Sequence, residues 1–237
     1  MSEKNTAKLL SGNTYPGRGI MVGKTSDGKH AAVAYFIMGR SSNSRNRVFV
    51  KTPDGIKTQA FNPALLEDPS LIIYHPVRTL GTTAIVTNGD QTDTVYDYLK
   101  DGKTVEEALL TRCFEPDAPN YTPRINAVID VKDSAFTYQL SILRTAENNP
   151  RDCERAYFNY SNPVNGCGHF IHTYESDGNP IPSFRGAPEE IEIGDKLDSF
   201  TDEIWSNLNA DNKVSLYTAF INLSTGEYDE RIINKNI

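Results

Sequence analysis

Arginines, one tyrosine and a carboxylate-bearing loop are the residues of this chain best suited to chemistry on a polar anionic molecule. In GRSSNSRNRVF (39–49), Arg40, Arg45 and Arg47 alternate with serines and asparagines. Guanidinium forks beside hydroxyl and amide donors suit a phosphate; a solvated loop has the same composition. Arg18 stands in YPGRGI, where Pro16 and Gly17 shape a tight approach to a strand, and a surface arginine beside a turn reads identically. In LIIYHPVRTL (71–80), Tyr74 and His75 end an apolar run and Pro76 stops a ladder. The Tyr74 hydroxyl there either enters a cleft or packs half-buried, and Arg78 supplies a further cation. In IVTNGDQTDTV (85–95), Asn88, Asp90, Thr92 and Asp93 crowd a strand end. A bare turn needs only Asn-Gly. The surplus either holds a ribose or base edge or caps the next helix, where Asp90 and Asp93 would compete with a phosphate. CFEPDAPNYTPRI (113–125) adds Glu115, Asp117, Asn120, Thr122 and Arg124 to a proline-stiffened loop.

Other candidates are weaker. Cys167, His169 and His172 resemble a metal pair only superficially, because residues three apart in a strand face opposite sides. With no second Cys/His cluster to complete a tetrahedral site, no metal is expected. Ser2, freed by loss of Met1, is conceivable as a nucleophile, but SEKNTAKLL does not read as the buried strand that would present it. The phosphate-loop, dinucleotide-binding, zinc-protease and nucleophile-elbow motifs are absent.

The elements that must position these residues are mostly strands. Gly19 to Thr25 and Ala31 to Met38 flank a Ser26-Asp27-Gly28-Lys29 turn. Further strands are expected at Arg47 to Lys51, Leu71 to Tyr74, Thr82 to Thr87, Ile125 to Val131, Phe136 to Leu143, Val214 to Asn222 and Tyr228 to Ile233. The clearest helix is Thr104 to Cys113, with Thr104 and Glu107 spaced as a capping box. Thr94 to Lys100 reads as a short helix, and a second helical zone runs from Pro188 to Leu208, broken at Gly194-Asp195. Glu147 to Asp152 reads as a loop. Consecutive hairpins with few helices predict a single antiparallel α+β domain over 1–237, its helices covering sheet faces.

Composition narrows the partners. A net charge of -7 disfavours nucleic acid, although a few arginines can build a local pocket for a small anion. No apolar run approaches the roughly 18 residues of a membrane helix, and MSEKNTAKLL does not read as a signal peptide. Three widely spaced cysteines, Cys113, Cys153 and Cys167, suit a reducing, cytoplasmic setting.

Taken in order, PGRG, SRNR, LIIYHPVR, TNGDQTDT and NYTPRI resemble the archaeal-type inosine monophosphate cyclohydrolase family, and GAPEE (186–190) adds to the likeness. The resemblance implies a four-layer α-β-β-α sandwich like that of the N-terminal nucleophile hydrolases, mostly antiparallel and lacking the self-processing nucleophile. It implies closure of 5-formamidoimidazole-4-carboxamide ribotide to inosine monophosphate with loss of water, and no metal or organic cofactor. It points to Arg47, Tyr74 and Glu115 as the catalytic positions. Side-chain chemistry then suggests roles. Arg47, supported by Arg18, would bind the phosphate or the carboxamide side. Tyr74 would donate to the formyl oxygen, and Glu115 would orient the amide or carry its proton. Asn88, Asp90, Thr92 and Asp93 would shape the ribose and base pocket, with Arg45, Arg78 and Arg124 adding positive charge. Three features depart from the family pattern: the first sixteen or so residues are longer than it needs, Pro150 to Pro182 looks like added material, and Asp90-Gln91 stands where other small or polar residues are expected. The alternative reading is a non-catalytic ribotide-binding paralogue. A homo-oligomer would be compatible with the resemblance and the strand-rich surface.

Overall fold

Period-two alternation builds most of the molecule. The computed structural model describes residues 5–236 apart from 67, 68, 70 and 148, so the candidate nucleophile Ser2 lies outside the described residues. In chain order the elements are α1 (Thr6–Gly12), β1 (Arg18–Lys24), β2 (His30–Met38), α2 (Ser42–Arg45), β3 (Arg47–Thr52), β4 (Gly55–Ala60), β5 (Val77–Leu80), β6 (Thr83–Thr87), α3 (Gln91–Lys100), α4 (Val105–Leu110), β7 (Arg124–Lys132), β8 (Ala135–Ala146), β9 (Asn149–Tyr160), β10 (Cys167–His172), β11 (Glu189–Glu192), α5 (Leu197–Asn207), β12 (Lys213–Asn222) and β13 (Tyr228–Asn234). The fold is α+β, with two sheets whose strand pairings are all antiparallel. One sheet runs β11-β10-β1-β2-β12-β13, the other β3-β4-β5-β6-β7-β8-β9.

The largest apolar cluster lies between the sheets. Ile20, Val22, Val33 and Tyr35 from the first sheet meet Phe49, Ile125, Ala127 and Ile129 from the second. Each fully buried aliphatic side chain there contributes about 1.5–3 kcal/mol relative to exposure. Alternation sends the intervening residues outward. Met21, Ala34 and Phe36 pack with Leu10 of α1 and Phe200 and Ile204 of α5. Ile85 and Leu143 pack with Val95 of α3 and Ala108 and Leu109 of α4. No helix among the described residues is long and apolar enough to cross a membrane.

Local signals explain several boundaries. Thr104 and Glu107 form the expected reciprocal cap, but α4 ends at Leu110. Helix α3 begins at Gln91, three residues before the expected start. The expected helical zone from Pro188 splits into β11, paired with β10, and α5.

Two expectations fail for tertiary reasons. Leu71 to Tyr74 is not a strand; β6 pairs with Val77–Leu80 instead. The Ile72 and Ile73 N–H groups donate to the Pro69 carbonyl, and the Thr58 hydroxyl accepts from Tyr74 N–H at 2.8 Å, so a side chain does the work of a ladder. The polar 147–152 stretch is not simply a loop, because β9 starts at Asn149. The 150–182 segment is built into both sheets: β9 closes one, and β10 pairs with β1 along residues 168–172.

Candidate functional site

A buried arginine, Arg47, and a half-buried one, Arg18, open two strands at the same end of the molecule. Arg18 begins β1 with the parity of Ile20 and Val22, and Arg47 begins β3 with the parity of Phe49. Both side chains are therefore aimed into the space between the sheets. Arg47 is 0% exposed. Its Nε donates to the Ser44 carbonyl at 2.8 Å and Nη2 to the Met38 carbonyl at 3.4 Å, while Nη1 has no partner. Burial, with Arg18 nearby, lowers its proton affinity below the usual arginine range, and Tyr74 and Tyr35 oppose this. An unpaired buried cation is costly, and the cost is recovered when an anion or a strong acceptor arrives.

Tyr74 comes from the segment before β5, tied to Thr58 of β4. Its hydroxyl lies 2.8 Å from that of Tyr35 on β2. Burial, then Tyr74 itself, pushes the Tyr35 hydroxyl well above the usual phenol range, so it stays neutral. Thr58 fixes the Tyr74 backbone from both sides, donating its N–H to the Tyr74 carbonyl at 2.9 Å and accepting from Tyr74 N–H.

Glu115 completes the group. The loop after α4 folds back so that Glu115 N–H donates to the Thr122 carbonyl at 2.8 Å. Its carboxylate is buried, with Oε2 at 3.7 Å from Arg18 Nη2 and Oε1 unpartnered. Burial raises its pKa to about 7 against the pull of Arg18, Arg124 and Arg47, and Asp117 adds to the rise. At Arg18 burial is the largest influence and disfavours charge, but Glu115, Tyr174, Tyr74 and Tyr15 together outweigh it and hold the guanidinium well above its usual value.

The 87–93 stretch supports this group more than it lines open space. Asn88 ties β6 to β7: its Nδ2 donates to the Pro123 carbonyl at 2.9 Å and its Oδ1 accepts from Ile125 N–H at 2.8 Å. Thr92 shares a 2.6 Å contact with the Thr87 hydroxyl. Asp90 pairs with Arg124 at 2.8 Å and with Arg112. Arg124 also donates to the Gln91 side chain and to the Cys113 carbonyl. Gly89 passes directly over these groups. A Cβ there would lie 2.5 Å from Arg124 Nη1 and 3.5 Å from Glu115 Oε1, so a side chain at this position would have to displace the Arg124 and Gln91 ends.

Three expected binding residues are not brought to the group. Arg78 donates to Asp54 at 2.8 Å and to Asp93 at 3.0 Å, and lies 3.5 Å above the Tyr96 ring. Arg78 and Asp93 thus clasp α3 to the outer face of its sheet, where side chains of the Ile85 parity point. Arg45 donates to the Gly39 carbonyl and to Asn212, holding the loop before β3. His169 and His172 also part company: one contacts Tyr138, the other the Tyr174 carbonyl.

Sequence reasoning missed Tyr35, Tyr15 and Tyr174. Tyr15 stacks on Tyr174 at 5.8 Å between ring centres, and both are electrostatically coupled to Arg18. Tyr35 sits in AAVAYFIM, where an aromatic reads as core, and Tyr174 follows β10 in the segment taken as added.

Geometry therefore defines a two-sheet antiparallel α+β protein carrying a buried Arg-Tyr-Glu group where the two sheets meet. The IMP cyclohydrolase-like protein family matches residues 15–227, and the chain belongs to that family. An IMP cyclohydrolase of Methanococcus maripaludis strain C6 is 39% identical over 129 residues, covering 52% of this chain and 61% of the relative. Those of Methanococcus aeolicus and Methanopyrus kandleri are each 32% identical, over 168 and 169 residues, covering 68% of this chain and 74% and 75% of the relatives. The match to the M. maripaludis relative thus spans under two thirds of that protein's length.

Proposed function

We propose that this chain is an inosine monophosphate cyclohydrolase, closing 5-formamidoimidazole-4-carboxamide ribotide with loss of water. The observation that carries the proposal is one buried group: a guanidinium with a free Nη1 (Arg47), a paired phenol (Tyr74) and a carboxyl with a free Oε1 and a pKa near 7 (Glu115). The carboxamide nitrogen is a poor nucleophile, but its formyl target is on the same molecule, so holding the two in attack geometry supplies much of the rate. As the C–N bond forms, negative charge grows on the formyl oxygen. Tyr74 donates to that oxygen, Tyr35 holds the Tyr74 hydroxyl, and Arg47 Nη1 adds positive charge. Complete burial favours this role for Arg47 over one at an exposed phosphate. Glu115 takes a proton from the nitrogen. Tyr74 protonates the oxyanion to give the carbinolamine, whose C–O bond then breaks as Glu115 returns its proton to the leaving hydroxyl; water departs, the formamido nitrogen closes the C=N bond, and its proton restores the Tyr74 phenol. A carboxyl with a pKa of about 7 suits both transfers near neutral pH.

Arg18 orients Glu115, and Asn88, Asp90, Thr92 and Arg124 hold the wall under Gly89 on the ribotide side. The helix-covered outer faces of both sheets support a four-layer α-β-β-α sandwich of the N-terminal nucleophile hydrolase type, forming one domain. The test is an absorbance assay for inosine monophosphate from the formylated ribotide. Wild type should turn over. Glu115→Gln and Tyr74→Phe should lose about 10²–10⁴-fold in kcat with smaller changes in KM. Tight ribotide binding without turnover by wild type would overturn catalysis and leave a ribotide-binding protein.

A further inference from the structure

Beside the reacting group runs a chain of hydrogen bonds whose direction is fixed by chemistry. Asp117 Oδ1 accepts from Thr122 N–H at 2.6 Å, and Oδ2 accepts from the Thr122 hydroxyl. A carboxylate can only accept, and a threonine hydroxyl has one proton. That proton is committed to Asp117. The 2.5 Å contact between Thr122 Oγ1 and Tyr174 Oη therefore requires Tyr174 to donate. With its proton turned to Thr122, the Tyr174 oxygen can only accept on its remaining side.

The Arg18 guanidinium is electrostatically coupled to the Tyr174 hydroxyl, and the Arg18 backbone is held against Thr173 beside it. Thr173 N–H donates to the Arg18 carbonyl at 3.0 Å, and Arg18 N–H donates to the Thr173 hydroxyl at 3.1 Å. The Tyr174 ring lies against Gly17, where a Cβ would come within 2.5 Å of it. Arg18 Nε, buried and without a partner, is a donor of the kind this acceptor suits. Thr122 also binds the other end of the system, since its carbonyl receives Glu115 N–H at 2.8 Å.

We propose that Asp117, Thr122 and Tyr174 form a positioning relay for Glu115: the relay presents the Tyr174 oxygen as an acceptor toward Arg18, restraining that guanidinium from closing on the carboxylate and leaving Oε1 open. It rests on the catalytic reading only for its effect on turnover. The charged groups around Glu115 are Arg18 from β1, Arg47 from β3, Arg124 from β7 and Asp117 from its own loop. Burial keeps the Tyr174 hydroxyl protonated, against the opposing influence of Arg18.

Asp117→Asn tests the direction of the relay. An amide in the same place donates to the Thr122 hydroxyl, which then donates to Tyr174, turning the phenol proton toward Arg18. Arg18 is pushed onto Glu115, and one negative charge is lost nearby. Carboxyl ¹³C NMR of glutamate-labelled protein, with Glu115 assigned by loss of its signal in Glu115→Gln, reads this without substrate. Glu115 should titrate lower in Asp117→Asn by about one pH unit, and lower again than wild type in Thr122→Val. Thr122→Ser should restore the wild-type value. The acid limb of the kcat profile should move with it. Tyr174→Phe should abolish the extra effect of Asp117→Asn beyond its charge, so the pair is non-additive. A Glu115 titration unmoved in Asp117→Asn and Thr122→Val, even with a lower Tm, overturns the relay. If the NMR shift occurs but wild type shows no turnover, the catalytic reading fails and the relay stands.

Discussion

At the scale of the residue, the site depends on groups held away from their preferred states. Glu115 is the sharpest case, because its pKa is raised from 4.5 to about 7, first by burial. The folded protein therefore binds a proton at Glu115 more tightly than the unfolded chain does. The stabilisation this gives is complete below the unfolded value and is lost as pH rises through the folded one. At 1.36 kcal/mol per unit, the upper bound is about 3 kcal/mol. Glu115→Gln lacks the titration. Urea unfolding from pH 5 to 8 should show wild type losing stability relative to Glu115→Gln across that interval, and a difference that stays constant with pH would show that Glu115 is not a raised carboxyl. Arg47, Tyr74 and Glu115, singled out through short motifs in a fixed order, are brought together by the fold. Tyr35 was not legible in the sequence, because an aromatic at an inward strand position is ordinarily core, and only the second hydroxyl at 2.8 Å reveals it as the holder of Tyr74. Asp117 and Thr122 were visible as polar loop residues, but their partner Tyr174 lies 52 residues beyond Thr122.

At the scale of the element, local pattern succeeded where apolar and β-branched runs are bounded by turn residues. The β1–β2 hairpin, β7, β8, β12 and β13 could be read from alternation and turn chemistry, as could the α4 cap. Strand β9 could not, because it opens on Asn149-Pro150-Arg151-Asp152, a polar, proline-containing run with the composition of a loop. Tyr74 was misread as a strand end because its neighbours are apolar, whereas the Thr58 hydroxyl sets its backbone. The 85–95 stretch teaches a related lesson. A surplus of polar side chains at a strand end suggested a ligand pocket, but most of them fasten elements to each other. Arg78 and Asp93 are such fasteners, joining β5 to α3, with Asp54 as the second carboxylate. Both ion pairs are partly exposed, so Asp93→Asn should cost only about 0.5–1 kcal/mol and leave kcat/KM unchanged. Thermal unfolding and the ribotide assay together check this. A large fall in kcat/KM with little change in Tm would return Arg78 or Asp93 to the binding site.

At the scale of the whole molecule, the site exists only when the two sheets are stacked. Arg18 and Tyr35 come from one sheet, and Arg47, Tyr74 and the Glu115 loop are carried by the other. The apolar layer between the sheets sets their separation, and the polar group occupies one end of that layer. A ligand that bridges the group therefore ties the sheets together and cannot bind once they part. By linkage, inosine monophosphate at 100 times its Kd should stabilise the protein by about 2.7 kcal/mol. For a chain of this size that corresponds to a rise in Tm of roughly 5–10 °C. The gain should be distributed. Hydrogen exchange should slow in β1 and β2 as well as in β3 and the 113–123 loop, because opening either sheet would destroy the contacts. Protection confined to the loop and one sheet would mean that the ligand sits on a surface of that sheet, and the interior group would then be a structural feature of the core.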